Sequence, residues 1–242
     1  DREMIYAEQE RIKVEVEREH MKSSMLRSIS HDFRTPLTGI MGDCGLILES
    51  EDMDSPERAQ LVQDIMEQSM WLMKMMENIL SMTKIESGQQ FINKSPEVVD
   101  DVINEASLHV IGLRDRRNFQ VSLPKEVIVA DMDARMIAQV IINLLDNAMK
   151  HTKEGGSISL SVSYRDHKAY FVIEDDGDGV LEELRERIFD EFVSGGDKST
   201  DQKRGIGLGL TICKEVVHAH GGDIWEENRN VRGARFIFWI PA

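Results

Sequence analysis

Hydrophobic and polar positions alternate in two different rhythms along this chain, and the rhythm changes near residues 89–95. Before that point apolar residues recur every three or four positions. Met25, Leu26, Ile29, Phe33, Leu37, Ile40, Met41 and Ile47 form one series, and Leu61, Ile65, Leu72, Met75, Ile79 and Met82 form another. That spacing predicts two amphipathic helices, each with an apolar stripe. Between them "EDMDSPERAQ" interrupts the pattern: Ser55 is expected to cap the second helix, Pro56 to take its first position and Gly88 to stop it. Further upstream Ile5, Ile12 and Leu26 keep heptad spacing around a polar gap at Glu19, with Val16 beside Ile12. Residues 1–22 therefore read either as an incoming coiled-coil helix or as a charged surface helix. Two helices in a hairpin leave wide apolar faces in water. A second copy is expected to close them into a four-helix bundle over residues 23–90.

After "SGQQFINKSPE" the period shortens to two. "VIVAD", "SISLSVSY", "AYFVIED" and "ARFIFWIP" read as strands, "YRDHKA" as a hairpin turn, and Asp133–His151 and Leu208–His220 as helices. The expectation for residues 95–242 is an α/β sandwich with a mixed or mainly antiparallel sheet and helices on one face. The chain as a whole belongs to the α+β class.

Composition narrows the function. The 242 residues carry a formal net charge of −15, with 41% hydrophobic and 30% charged residues. That describes a globular chain with real cores, and its sign argues against nucleic acid as a partner. Nucleotides stay open, because a divalent cation and a few local bases neutralise phosphates. Two widely separated cysteines, Cys44 and Cys213, suit a reducing compartment. No apolar run approaches the roughly 20 residues of a membrane helix. The opening "DREMIYAEQE" lacks an initiator methionine and reads as the start of a fragment, so membrane attachment is expected only through an upstream segment.

Candidate chemistry gathers in four stretches of the second half. In "NLLDNAMKHT", Asn143 and Asn147 are i,i+4 neighbours on one helix face, with Lys150 one turn on. Asparagines in an apolar helix need partners. Mg²⁺ with phosphate oxygens would supply them, and so would structural caps or buried hydrogen bonds. In "EDDGDGV" the spacing D-x-G-x-G begins at Asp175 and continues through Gly177 and Gly179. A carboxylate followed by spaced glycines lets a planar ring lie against backbone while the acid accepts from an exocyclic amine. An acidic turn or a calcium loop would look similar, although the oxygen ladder and terminal Glu of an EF-hand are missing. In "RGIGLGLTICKEVV", Gly205, Gly207 and Gly209 precede a helix whose N-terminal amides suit phosphate. A dinucleotide loop would come early and after a first strand; this one comes last. Between these lies "IFDEFVSGGDKSTDQKR", in which Phe189 and Phe192 can anchor a lid-length loop bearing Lys198 and Lys203.

In the first half, "SHDFRTPLTG" clusters His31, Asp32 and Thr35 immediately before Pro36. Histidine is partly neutral near pH 7, so a ring nitrogen can act as nucleophile while a neighbouring carboxylate holds the other nitrogen's proton. Taken alone, His31 and Asp32 read as a solvated pair. Thr35 shares their helix face, and Pro36 is expected to kink the helix.

Taken in order, "SISHDFRTPL" resembles the H box of sensor histidine kinases, and the four later stretches resemble their N, G1, F and G2 boxes. The resemblance covers residues 23–242, and "SISHDFRTPLTGIMG" with "IINLLDNAMKHT" is similar to the potassium-responsive KdpD-type subgroup. It implies a dimerisation and histidine phosphotransfer hairpin followed by a Bergerat-type ATP-binding domain. It implies that His31 takes a phosphoryl group from ATP and gives it to an aspartate on a response regulator receiver domain. Asn143, Asn147 and Lys150 would then serve Mg²⁺ and phosphates, and Asp175 the adenine amine, with Gly177 and Gly179 shaping that pocket. Gly205, Gly207 and Gly209 would support the phosphates and lid. The Asp32-x-x-Thr35 pattern implies a phosphatase activity towards the regulator, with Thr35 orienting water. The implied setting is the cytoplasmic part of an inner-membrane sensor that acts as a homodimer. Two positions depart from the family: Ser194 stands where many relatives have Arg, leaving Lys198, Lys203 or Arg204 to substitute, and His151 stands where an aromatic ring often borders adenine. The resemblance leaves two rivals: a nucleotide-binding module without phosphotransfer, and an ATPase of the same fold with no use for His31.

Overall fold

The computed structural model describes residues 12–13, 29–50, 53–86, 92–111, 117–190, 193, 207–229 and 232–242. It divides into two compact units, Asp1–Glu77 and Asn78–Ala242. The heptad of the first 22 residues, apart from helical Ile12 and Lys13, lies outside the described residues, as do Gly88, Phe192, Ser194, Lys198, Lys203, Arg204 and Gly205.

In the first unit, helix α1 covers residues 29–49 and runs through Pro36 without interruption. Helix α2, Ser55–Glu86, returns beside it after a short connection. Asp54, not Ser55, caps α2: its Oδ1 accepts from the Glu57 amide at 2.8 Å, which makes Ser55 the first helical residue. An aspartate so placed both fills an orphan donor and faces the positive end of the helix dipole. The two helices meet where Gly39 leaves room for Gln68, whose Nε2 donates to Asp43 Oδ2 at 3.2 Å. Each helix keeps a second apolar stripe in solvent: Leu37, Met41 and Leu48 on α1, and Val62, Met66, Met70, Met73 and Met76 on α2.

The second unit is a two-layer sandwich. Strand β1 (Ser95–Val98) pairs antiparallel with β3 (Val129–Met132) in a small ladder of its own. The main sheet has the order β2-β4-β5-β7-β6, formed by Asn118–Ser122, Ser157–Arg165, Lys168–Asp175, Ala234–Pro241 and Asp223–Asn228. Only β2 and β4 run parallel; every other neighbour is antiparallel. Helices α3 (Val99–Ile111), α4 (Ala134–His151) and α6 (Gly209–Ala219) cover one face, and α5 is the single turn Glu182–Arg185.

Strict alternation decides what lies beneath the helices. Ile158, Leu160 and Val162 of β4, Ala169, Phe171 and Ile173 of β5, and Phe236, Phe238 and Ile240 of β7 are all buried. Phe171 and Phe238 are register partners and stack with centroids 4.4 Å apart. Such a pair adds about 0.5–1.5 kcal/mol beyond its area burial. The turn between β4 and β5 places Asp166 and His167 at φ 52° and 57°, the left-handed geometry that matches strand twist in a two-residue hairpin. The same alternation, carried two residues past Ile173, puts the carboxylate of Asp175 on the buried face.

Candidate active site

Asp175 ends the middle strand of the sheet with its carboxylate 3% exposed. Its Oδ1 accepts from the amides of Gly177 at 2.8 Å and Ala234 at 3.3 Å. Burial pushes its pKa up, against the pull of those two amides. Oδ2 takes no hydrogen bond among the described residues, so one acceptor oxygen of this nearly buried residue is left for a ligand. The surrounding backbone is drawn in close. A Cβ on Gly177 would collide with the carbonyl oxygen of His151 and lie 2.8 Å from Asp175 Oδ1. Gly233, at φ +98°, approaches the Asp175 carbonyl so closely that no side chain fits.

The turn after Asp175 is held from the β6–β7 connection, a support that motif spacing did not reveal. Arg229 Nη1 donates to Asp175 O at 3.1 Å, and Arg232 Nε donates to Gly177 O at 3.2 Å. Arg232 also pairs with Asp178 and holds that carboxyl below its usual range. Asp176 Oδ2 accepts from the Ser157 amide at 2.9 Å, closing the turn onto β4. Gly179 sits at φ +76°.

Helix α4 brings its residues to the same end of the sheet. Asp133 caps it through the Met136 amide at 3.2 Å, and its last turn carries His151 and Lys150, the lysine's charge suiting a C-terminus. The contact of His151 O with Gly177 joins the end of α4 to the Asp175 turn. Asn143 and Asn147 lie two turns and one turn back from it. Asn143 is buried: its Oδ1 accepts from Gln139 Nε2 at 3.0 Å, while its Nδ2 is buried with no partner. Asn147 is half-buried and has no side-chain hydrogen bond among the described residues.

The third wall is the start of α6, which rests on α4 through Cys213 Sγ and Val140 O. Gly207 adopts φ +74°, and its carbonyl accepts from the Thr211 hydroxyl at 3.4 Å. Among the described residues no side chain caps the helix at Leu208, and a Cβ on Gly209 would meet nothing within 4 Å. First-turn amides and open space are thus present together.

These features fit a nucleoside triphosphate. A carboxylate oxygen without a partner among the described residues, beside a glycine cradle, suits an amine-bearing ring. The unpartnered Asn143 amide suits a phosphate oxygen; turned over together with Gln139, it would present its carbonyl oxygen to a hard cation instead.

His31, Asp32 and Thr35 lie in the other unit, on α1. The His31 ring is 70% exposed and its Nδ1 is 3.2 Å from Asp32 Oδ1. Thr35 Oγ1 donates to the His31 carbonyl at 3.5 Å, one turn back. Pro36 has no N–H for the Asp32 carbonyl, so the helix ladder skips a bond beside this cluster.

Comparison with known proteins finds two family models along the chain. Residues 21–88 match the model of the His Kinase A (phospho-acceptor) domain, and residues 132–242 match that of the histidine kinase-, DNA gyrase B- and HSP90-like ATPases. The chain is 44% identical over 242 residues to the sensor protein KdpD of Clostridium acetobutylicum, covering all of this chain and 27% of that protein. It is 32% identical over 227 residues to the alginate biosynthesis sensor protein KinB of Pseudomonas aeruginosa, covering 93% of this chain and 38% of that protein. The chain thus spans well under half the length of these two curated relatives. The solved catalytic domain of the histidine kinase ThkA is similar at 31% identity and a TM-score of 0.55, over 62% of this chain and 95% of that one. The structure of ThkA in complex with the response regulator protein TrrA matches 90% of this chain and 61% of that one, at 27% identity and a TM-score of 0.67. With a phospho-acceptor hairpin and an ATPase-type sandwich in one chain, and a solved kinase domain matched over nearly its whole length, the chain belongs to the sensor histidine kinases.

Proposed function

We propose that this chain transfers the γ-phosphoryl group of ATP to His31 and then to an aspartate on a response regulator receiver domain. One observation carries the reading: Nδ1 of an exposed histidine faces Asp32 Oδ1, and Nε2 is left open to solvent. Asp32 then favours the tautomer with its proton on Nδ1 and the lone pair on Nε2. As Nε2 attacks phosphorus, the bond to the β–γ bridging oxygen breaks and ADP leaves. The positive charge that develops on the ring is balanced by the Asp32 carboxylate. In the second step an aspartate oxygen of the receiver takes the phosphoryl group and His31 returns to neutral.

In the nucleotide site Asp175 accepts from the adenine amine through Oδ2, with Gly177 and Gly179 lining the ring. Lys150 and the amides after Gly207 and Gly209 serve the phosphates, and Lys198 and Gly205 are assigned there by motif position. His151 is assigned to border the base. Asn143 and Asn147 would hold Mg²⁺, which when bound offsets the phosphate charge. Thr35 is assigned to orient water in a phosphatase reaction on the phosphorylated regulator. Similarity to two proteins named KdpD supports the KdpD-type subgroup and, with it, the cytoplasmic part of an inner-membrane sensor. The exposed stripes of α1 and α2 support a homodimer.

The test is incubation with γ-labelled ATP and Mg²⁺, comparing the parent with His31→Gln. Acid-labile, alkali-stable label is expected on the parent and absent from the variant. ATP bound without label on either would instead identify a nucleotide-binding module with no phosphotransfer.

A further inference from the structure

Strand β6 carries an acid where the sheet buries apolar side chains. Glu226 stands opposite Phe236 in the β6–β7 register, two residues from Ile224, which stands opposite Phe238. Directly opposed residues share a face, so the Glu226 side chain points to the same side as those phenylalanines. It is 2% exposed. Its Oε2 accepts from Arg185 Nε at 3.0 Å, and its Oε1 is buried without a partner among the described residues. Burial pushes its pKa up, Arg185 pulls it down, and Glu182 and Glu227 add their charges to the upward side.

Arg185 ends α5, six residues beyond Gly179 in the segment that leaves the Asp175 turn. Four residues later, Phe189 meets Phe236 edge to face with centroids 6.4 Å apart. The Arg185–Glu226 pair and the Phe189–Phe236 contact therefore moor one segment, residues 181–190, to one cross-strand pair of the sheet. Stability alone does not explain this acid. A buried ion pair with an oxygen left unsatisfied is commonly no better for folding than apolar residues of similar size.

We propose that Glu226 is a positioning residue for nucleotide binding: acting through Arg185, it fixes the segment that follows the Asp175–Gly179 turn and so sets the geometry of that turn. The proposal rests on reading this turn as the adenine site. Arg229 and Arg232 hold the turn at Asp175 and Gly177, and the Glu226–Arg185 pair holds its outgoing end. The Glu182 contact of Arg185 is no substitute, because Glu182 is itself exposed and belongs to the segment being held.

The experiment measures ATP dissociation constants, autophosphorylation rates and melting temperatures on the whole 242-residue chain. The variants are Glu226→Leu, Glu226→Gln, Arg185→Met, Arg185→Lys, the double variant Glu226→Leu/Arg185→Met, and Asp175→Asn as control. The double variant Glu226→Leu/Arg185→Met, which removes both charges, is expected to melt at or above the parent temperature and yet bind ATP roughly three- to tenfold more weakly, with KM raised and kcat held. The double variant should be no weaker than either single one, since both remove one link, and Arg185→Lys should recover part of the affinity. Glu226→Gln separates charge from shape if the leucine packs badly. Unchanged ATP affinity in Glu226→Leu and Arg185→Met, with binding lost in Asp175→Asn, would overturn the proposal and leave the adenine site standing. Affinity losses that follow losses in melting temperature across the series would reduce Glu226 to a structural residue. Normal ATP binding by Asp175→Asn would remove the adenine site itself, and the proposal with it.

Discussion

The glycines that we assign to the nucleotide site are there for two different reasons, and the difference can be measured. Gly177 has no room for a Cβ even without ligand, because His151 O and Asp175 Oδ1 already fill the space. Among the described residues nothing lies within 4 Å of a Cβ on Gly209, so its missing side chain is expected to matter when something occupies the front of α6. Gly177→Ala should therefore lower both the melting temperature and ATP affinity. Gly209→Ala should leave the melting temperature within the range of an ordinary surface change, about 0.5 kcal/mol, while weakening ATP. Calorimetry beside a nucleotide titration reads both, and an alanine at 177 without thermal effect would contradict the packing described. The value of Asp175 has a similar origin. Its carboxylate is inward because the strand alternates, and it remains useful because two backbone amides occupy only one of its oxygens.

Helices α4 and α6 are tied by a buried histidine that the chemistry does not use. His220, 2% exposed, donates from Nδ1 to Val216 O at 2.7 Å and accepts at Nε2 from the Asp133 amide at 3.0 Å. Asp133 meanwhile caps α4 and receives the Asn93 amide on Oδ2. Both ring nitrogens are committed in the neutral form, and burial lowers the pKa from 6.5, opposed by the hydrogen bond to Val216 O and by Asp133, with Lys94 adding to the effect. The unfolded chain therefore binds a proton before the folded one does. Stability should fall as pH drops from about 6.5 towards the lowered folded value, with a slope of at most about 1.4 kcal/mol per pH unit, and should be flat for this group above that window. Denaturant unfolding between pH 7.5 and pH 5 should show the slope in the parent and lose it in His220→Gln. The same slope in both would assign the effect elsewhere.

Element visibility in the sequence followed burial. Strands β3, β4, β5 and β7 were legible in the alternation of "VIVAD", "SISLSVSY", "AYFVIED" and "ARFIFWIP". Strands β1, β2 and β6 were not: β1 contains Pro96, while β2 and β6 are sheet edges, and β6 mixes Trp225 with Glu226 and Glu227. Edge strands bury less and tolerate charge, which erases the pattern that reveals central ones. The cap of α2 was misread by one residue, since Asp54 and Ser55 are both good capping types. Motif spacing marked Asp175, Gly177, Gly207 and Gly209 as candidates because their roles are local. Arg185, Arg229, Arg232 and Gly233 act on partners 41 to 58 residues away, and no local pattern records that.

For the whole molecule, the exposed stripes of the helical unit carry the sharpest expectation. Val62, Met66, Met70, Met73 and Met76 line α2 at spacings of three and four, far more apolar surface than a lone hairpin should show water. Met66→Glu/Met73→Glu should convert a dimer into a monomer in sedimentation equilibrium and leave ATP affinity unchanged, because the residues that we assign to the nucleotide lie in the other unit. A parent chain that is monomeric at micromolar concentration would remove the dimer. The sheet order has a consequence of another kind. β5 is the third of five strands and is paired on both sides over most of its length, and Asp175 is its last residue. Amides in such a strand exchange with solvent only when the whole unit opens, so fluctuations short of unfolding do not reach the acid that we assign to the base. That carboxylate is in place before any nucleotide arrives. Discrimination between bases is then decided by fit to a finished surface, not by how far the protein can be persuaded to move.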